Sequence, residues 1–168
     1  MNRKLFENEG HAYFVTFSCY RRRKLLNDDK AKRIVIHFLS VQLKNQKGNC
    51  VGFVVMPNHV HAMVYFKEST KLSIFMNQWK RRSSIQLKKL YQKFLTKYAE
   101  KINYRESVWQ AKYYSFNIYS KSKAIEKLTY MHNNPVKSGL VNCPEEWKFS
   151  SARFYSLKKP VGVMITPL

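Results

Sequence analysis

Acidic residues are scarce in this chain: 10 Asp and Glu stand against 31 Lys and Arg in 168 residues, leaving a formal net charge of +21. Such an imbalance bears on partners rather than on fold, and it makes a polyanion the expected partner, nucleic acid ahead of a membrane surface. Glycine and proline are also few, 5 of each, and no linker, low-complexity tract or internal period is visible, so residues 1–168 read as one domain with a short C-terminal tail. The cysteines Cys19, Cys50 and Cys143 are odd in number and lack a C-x-x-C pair. That excludes a disulfide framework and a cysteine zinc site, and fits a reducing cytoplasm. No stretch approaches the roughly 18 uninterrupted apolar residues of a membrane span. The start, Met1 to Phe14, has no apolar core or small-residue cleavage site of an export signal. What is abundant is core-forming material: 45% hydrophobic residues, with 11 Tyr, 11 Phe and 3 Trp, which excludes an intrinsically disordered chain.

Hydrophobic spacing gives the element order. Tyr13 to Cys19 is aromatic and β-branched, a strand running into the basic loop Arg21, Arg22, Arg23 and Lys24. Asp28 and Asp29 oppose the positive end of a helix dipole, and Ile34, Val35, Phe38 and Leu39 recur at helical spacing, predicting a helix that closes between Asn45 and Gly48. Val51 to Met56 and His61 to Phe66 flank the Pro57-Asn58 turn signal and read as two central strands. Lys71 to about Tyr98 predicts one or two basic amphipathic helices. Trp109 to Tyr119 is extended, a last strand or an aromatic loop. Lys121 to Asn134 predicts a helix that stops before Pro135, because a residue preceding proline disfavours the helical region. An irregular tail anchored by Trp147 and Phe154 follows Gly139. The order β-α-β-β-α-β predicts an α+β, ferredoxin-like antiparallel sheet with helices on one face, plus the helix at Lys121 to Asn134.

The densest chemical signal is Pro57-Asn58-His59-Val60-His61. Strand alternation puts His59 and His61 on one side, about 7 Å apart along the backbone, so two imidazoles are able to share one ion. A bare His-x-His is equally two unrelated sheet residues. A third ligand has to come from elsewhere, and the helix Lys121 to Asn134 is the best-placed source. On it Ala124, Ile125, Leu128 and Met131 define the buried stripe. Tyr130 falls outside that stripe, with Asn134 one turn later and Lys123 and Lys127 flanking the same face. A single tyrosine on a helix more often packs than reacts. Beside an ion and several cations, however, a phenol is suited to attack a phosphodiester, the ion polarising the phosphate and the cations stabilising the developing charge.

With those residues in place, the chain resembles the single-tyrosine HUH transposases of bacteria and, within them, the REP-associated tyrosine transposases. The matching pieces are Tyr13 to Phe17, Val54 to His61, Val108-Trp109-Gln110, Tyr130 to Val141 and Glu146 to Ser151. The resemblance implies that His59 and His61 are paired ligands of Mg²⁺ or Mn²⁺, that Asn134 supplies the third, and that Tyr130 is the nucleophile. It implies a metal-dependent endonuclease and strand transferase acting on single-stranded DNA, often an imperfect hairpin beside a short guide sequence, through a 5′-phosphotyrosine intermediate. A monomer or homodimer in the bacterial cytoplasm, associated with the nucleoid, is the corresponding expectation.

Candidate phosphate contacts are Arg21, Arg22, Arg23, Lys24, Lys80, Arg81, Arg82, Lys123 and Lys127, with Lys88 and Lys89 beside them. Tyr113, Tyr114 and Phe116 are candidates for stacking unpaired bases. If this reading is right, the charge concentrates along a path ending where Tyr130 meets the histidines. The alternative is a non-enzymatic nucleic-acid-binding module whose sheet reads bases as an RNA-recognition domain does.

Overall fold

Alternation along the first strand, β1 (His11–Ser18), divides its side chains between two apolar layers. Val15 and Phe17 enter one core and Ala12 and Phe14 the other. The computed structural model, which describes residues 10–94 and 105–168, continues with α1 (Asp29–Asn45), β2 (Asn49–Val55), β3 (His59–Phe66), α2 (Lys71–Phe94), β4 (Tyr114–Ile118), α3 (Lys121–Lys137) and α4 (Ala152–Leu157). The sheet order is β2-β3-β1-β4, every neighbouring pair antiparallel. This is the expected ferredoxin-like arrangement. The end expected for α2, near Tyr98, lies outside the described residues.

Two helices cover the first face. Asp28 caps α1 by accepting from the Lys30 N–H at 2.8 Å, which satisfies one of the unpaired amides of the first turn. Val35 and Leu39 of α1 and Phe75, Met76 and Trp79 of α2 pack on Val15, Phe17, Val60, Ala62 and Val64 of the sheet. The buried Trp79 indole donates to the Val35 carbonyl at 2.9 Å, joining the two helices. α3 covers the second face through Ala124, Leu128 and Met131, set against Phe14, Met63 and Val54. The sheet is thus a middle layer, and neither of its faces is an open platform for bases.

Several local expectations change. β2 is an edge strand rather than a central one. It looks central in sequence because its edge is covered by the chain's own tail, which bridges Val54 to Ser150 and Cys50 to Ile165. The tail is therefore ordered: Pro144–Glu146 forms a 3-10 turn, α4 follows, and the Trp147 indole donates to the Val55 carbonyl at 3.0 Å. The strand within Trp109 to Tyr119 is confined to Tyr114–Ile118, although Trp109 bridges Cys19. In α3 the buried stripe is Ala124, Leu128, Met131 and Pro135, whereas Ile125 is exposed.

The helix α3 also runs through Pro135 to Lys137. Proline in a helix costs a hydrogen bond and crowds the preceding turn, roughly 3 kcal/mol. Here the ring is buried, and a Schellman closure follows, Leu140 N–H donating to the Pro135 carbonyl at 3.0 Å and Gly139 N–H to that of Val136 at 2.9 Å. Gly139, at φ 68°, takes the left-handed position this closure requires.

The approach of α3 to β2 depends on Gly52. A Cβ there would stand 2.4 Å from Leu128 Cδ1 and 3.0 Å from both Met131 Cε and Ser151 Oγ. Gly52→Ala is expected to destabilise the protein by about 1–3 kcal/mol, as overpacking does, read as a lower midpoint in urea unfolding.

Candidate active site

The two histidines of β3 lie on the face covered by α3, with ring centroids 4.8 Å apart. Each is oriented by an outer partner. His59 Nδ1 faces Asn58 Oδ1 at 2.7 Å. Because an amide oxygen only accepts, the hydrogen sits on Nδ1 and the Nε2 lone pair stays open. His61 Nδ1 meets Thr16 Oγ1, across the β1–β3 ladder, at 2.7 Å, and its Nε2 meets Asn134 Nδ2 at 3.1 Å. Accepting from the amide likewise leaves Nε2 unprotonated and Nδ1 the donor. Burial, then the cationic Arg22, pushes His59 down to about 4. Burial, then His59, Arg22 and Lys127, pushes His61 down to about 3. Both rings are neutral at physiological pH, each with a lone pair on Nε2.

α3 brings Tyr130 to the same place. Its ring meets His61 edge-on at 5.6 Å and Phe14 at 6.2 Å, and Phe14 stacks on His61 at 5.4 Å. Tyr130 is 44% exposed, so the phenol is anchored by ring contacts while remaining reachable. Lys137 Nζ lies 5.5 Å and Lys127 Nζ 6.0 Å from the Tyr130 ring centroid. Lys127, Tyr130, Asn134 and Lys137 are spaced by three, four and three residues, one continuous helix face. That continuity exists only because α3 passes through Pro135.

His132, on the neighbouring face of α3, holds the helix to the sheet. Its Nε2 lies 2.7 Å from Ser151 Oγ, and that hydroxyl also receives the Phe53 N–H at 2.8 Å and reaches the Phe53 carbonyl at 3.2 Å.

The expected phosphate contacts separate into distinct settings. Arg21 and Arg22 have left-handed backbones, φ 55° and 56°, a strained arrangement for non-glycine residues. The loop is held by Cys19 N–H donating to the Asn58 carbonyl at 2.8 Å and Leu26 N–H to that of Pro57 at 2.9 Å. Arg22 acts on both histidines, whereas Arg23 pairs with Glu106 at 2.9 Å and Arg21 lies 3.7 Å from it. Lys24 follows in the same loop. Lys123 pairs with Glu126. Lys80 donates to the Gln110 and Ala111 carbonyls at 2.7 and 2.8 Å, fastening the segment before β4. Lys80, Arg81, Arg82, Lys88 and Lys89 all belong to α2, in the layer across the sheet from Tyr130. The charge does not run along one path to the tyrosine. Of the aromatics, Tyr113 packs on the first core and Phe116 on the second. Tyr114 is exposed.

Burial pushes the Cys19 and Cys50 thiols up to about 12, which removes them as nucleophiles. Among the described residues no group of three His, Cys, Asp or Glu side chains is placed to hold a metal, and no helix is long and apolar enough to cross a membrane.

The sequence profile of the family described as "Transposase IS200 like" matches residues 8–134. The chain belongs to that family. It is 26% identical over 152 residues to a Haemophilus influenzae protein described as a REP-associated tyrosine transposase, covering 85% of this chain and 80% of the relative. Among solved structures, a REP-associated tyrosine transposase bound to a REP hairpin superposes with a TM-score of 0.62 at 18% identity, over 100% of this chain and 93% of that one. A transposase-like protein of Deinococcus radiodurans R1 gives 0.52 at 18%, over 79% and 97%. These structures support the fold.

Thr16, Phe14 and Lys137 of this candidate site were not singled out by sequence pattern. Lys137 carries a readable signal, its place on the helical face of Tyr130, hidden by the expectation that proline ends the helix. Burial pushes His132 down to about 4. A histidine lowered in the folded state binds fewer protons there than in the unfolded chain, so its stabilisation is present above about pH 6.5 and is lost progressively as the pH falls toward 4. Between pH 7.5 and 5 that loss is about 2 kcal/mol from His132. His132→Gln is expected to flatten this part of the dependence of melting temperature on pH.

Proposed function

We propose that the protein is a divalent-metal-dependent endonuclease and strand transferase for single-stranded DNA, with Tyr130 as nucleophile. The observation that carries this reading is the convergence of Tyr130 and Asn134, from one helix, on His61 from a strand about seventy residues earlier, at 5.6 Å and 3.1 Å. The phenol oxygen attacks a backbone phosphorus, forming the tyrosyl O–P bond as the P–O3′ bond breaks. The phenol gives its proton to solvent, the departing 3′ oxygen takes one back from solvent to become a hydroxyl, and the 5′-phosphate stays on Tyr130. Attack by a DNA 3′-hydroxyl on that phosphotyrosine reverses the exchange and rejoins or transfers the strand.

Lys127 and Lys137, with their ammonium groups 6.0 and 5.5 Å from the Tyr130 ring, would stabilise the charge that develops on the non-bridging phosphate oxygens. His59 and His61, each with an unprotonated Nε2, would hold a resident Mg²⁺ or Mn²⁺, and Asn134, whose Nδ2 now faces His61 Nε2, would turn its amide over to offer the oxygen as third donor. Such an ion supplies Lewis-acid polarisation of the scissile phosphate. A folded hairpin with a short guide sequence is the proposed DNA, supported by likeness to the REP-associated proteins. Arg22 and Tyr114 are the sequence-predicted contacts best placed beside it. An open RNA-recognition-like sheet is disfavoured because helices cover both faces.

Tyr130→Phe is expected to abolish covalent capture of labelled hairpin DNA on a denaturing gel while leaving the native band shift within about threefold of wild type; capture by the variant would move the nucleophile elsewhere. The metal has a second signature. Every charged group acting on the two histidines is cationic, so the ion's charge has to be balanced by DNA phosphate, and the two ligands bind cooperatively. Mn²⁺ titrated calorimetrically into Tyr130→Phe protein should bind about tenfold or more tightly with hairpin DNA present. Equal affinity with and without DNA counts against this site as the metal centre.

A further inference from the structure

Across the sheet from Tyr130, at the edge of β2, the C-terminal segment folds back on α1 and forms with it an open cavity of about 430 Å³. Arg33 and His37 of α1, Lys148 of the tail and Arg153 of α4 line it, with Phe149 and Gly162, and no acidic residue takes part. None of Arg33, Lys148 or Arg153 makes an ion pair with a described acidic side chain. Arg153 Nε is the buried side-chain polar atom among the described residues that finds no hydrogen-bond partner. A buried donor without an acceptor costs about 1–3 kcal/mol, more when charged.

The cavity is built rather than incidental. Gly162 adopts φ 80°, and a Cβ there would come within 3.1 Å of Ile36 on α1, so the tail turns tightly against the helix. Phe149 N–H and carbonyl belong to the strip beside β2, its carbonyl accepting from Val55 N–H at 2.8 Å. Lys32, buried beneath, spans the Phe149 ring at 4.6 Å. The cationic side chains therefore project from braced backbone on two sides of the space.

We infer that this cavity is a phosphate-binding site separate from the Tyr130 centre, with Arg153 as the anchoring donor and Arg33, Lys148 and His37 closing around the anion. Guanidinium groups offer forked donors that match phosphate oxygens, and are less hydrated than ammonium groups. The volume exceeds what one phosphate fills and lies in the range of small-ligand sites, so it has room for a phosphate carried on a nucleoside. Its source is either the backbone of a bound strand or a free nucleotide.

The test follows the His37 imidazole resonances of the full chain by NMR while inorganic phosphate, adenosine monophosphate or a 5′-phosphorylated tetrathymidylate is added. Saturable movement of His37 is expected, with His132 unmoved. Arg153→Gln and the surface pair Arg33→Gln/Lys148→Gln should each weaken binding about tenfold, Arg153→Lys less. Absence of saturable movement with all three probes overturns the site, as does unchanged binding in the surface pair. Tighter binding of tetrathymidylate than of the monophosphate assigns the site to a DNA strand, and the reverse order to a nucleotide. Tyr130, His59 and His61 are untouched, so this outcome is independent of whether Tyr130 cleaves DNA.

Discussion

A reactive centre shared between a strand and a helix exists only while the two are held at a fixed separation, and here the packing of α3 on β2 and β3 sets it. Gly52 removes the Cβ that would strike Leu128. The His132–Ser151–Phe53 hydrogen bonds fix the helix along its length. The Schellman closure at Gly139 satisfies the carbonyls left open at its end. Tyr130 contributes little to this packing, since its half-exposed ring meets Phe14 and His61 edge-on rather than entering the core. Its position is a consequence of the stripe Ala124, Leu128, Met131 and Pro135 on the other side of the helix. The geometry of the proposed nucleophile is thus determined by residues on the opposite side of its helix.

The same packing decides the electrostatics. Burial under α3 is the largest cause of the lowered basicity of both His59 and His61. Arg22 and Lys127, which are suited to meeting a phosphate, act in the same direction. A more exposed His-x-His among these cations would be attractive to DNA but partly protonated in mild acid, and a protonated imidazole is not a ligand. Burial and cationic surroundings together keep both imidazoles neutral, with the His59 Nε2 lone pair open and that of His61 held by the Asn134 amide. The Thr16 and Asn58 oxygens then determine which nitrogen presents each lone pair.

Strand alternation made the His59–His61 pair legible in the sequence, because a period of two is insensitive to tertiary context. Helical periodicity placed Tyr130 off the buried stripe for the same reason, and the element order was enough to anticipate the sheet. What escaped was whatever depends on layers. The basic residues of α2 are adjacent to the site in no respect that spacing encodes, and the sheet's thickness separates them from it. β2 reads as central because an edge strand covered by its own tail is as apolar as an internal one. Pro135 misled because local preference, worth about 3 kcal/mol, was outweighed by burial of its ring and the closure that follows, and with it went the chance to see Lys137.

The tail from Trp147 to Tyr155 links the two charged regions of the molecule. Trp147 and Tyr155 pack against both cores, and the Tyr155 hydroxyl donates to the Val51 carbonyl at 2.7 Å. Ser151 reaches across to His132 on α3, while Lys148 and Arg153 line the cavity beside α1. This segment is joined at its middle to the β2 edge by the Val54–Ser150 bridge, with Ser151 on the α3 side of the sheet and Lys148 and Arg153 on the α1 side. The +21 charge is therefore divided between two surfaces that one short stretch of backbone braces.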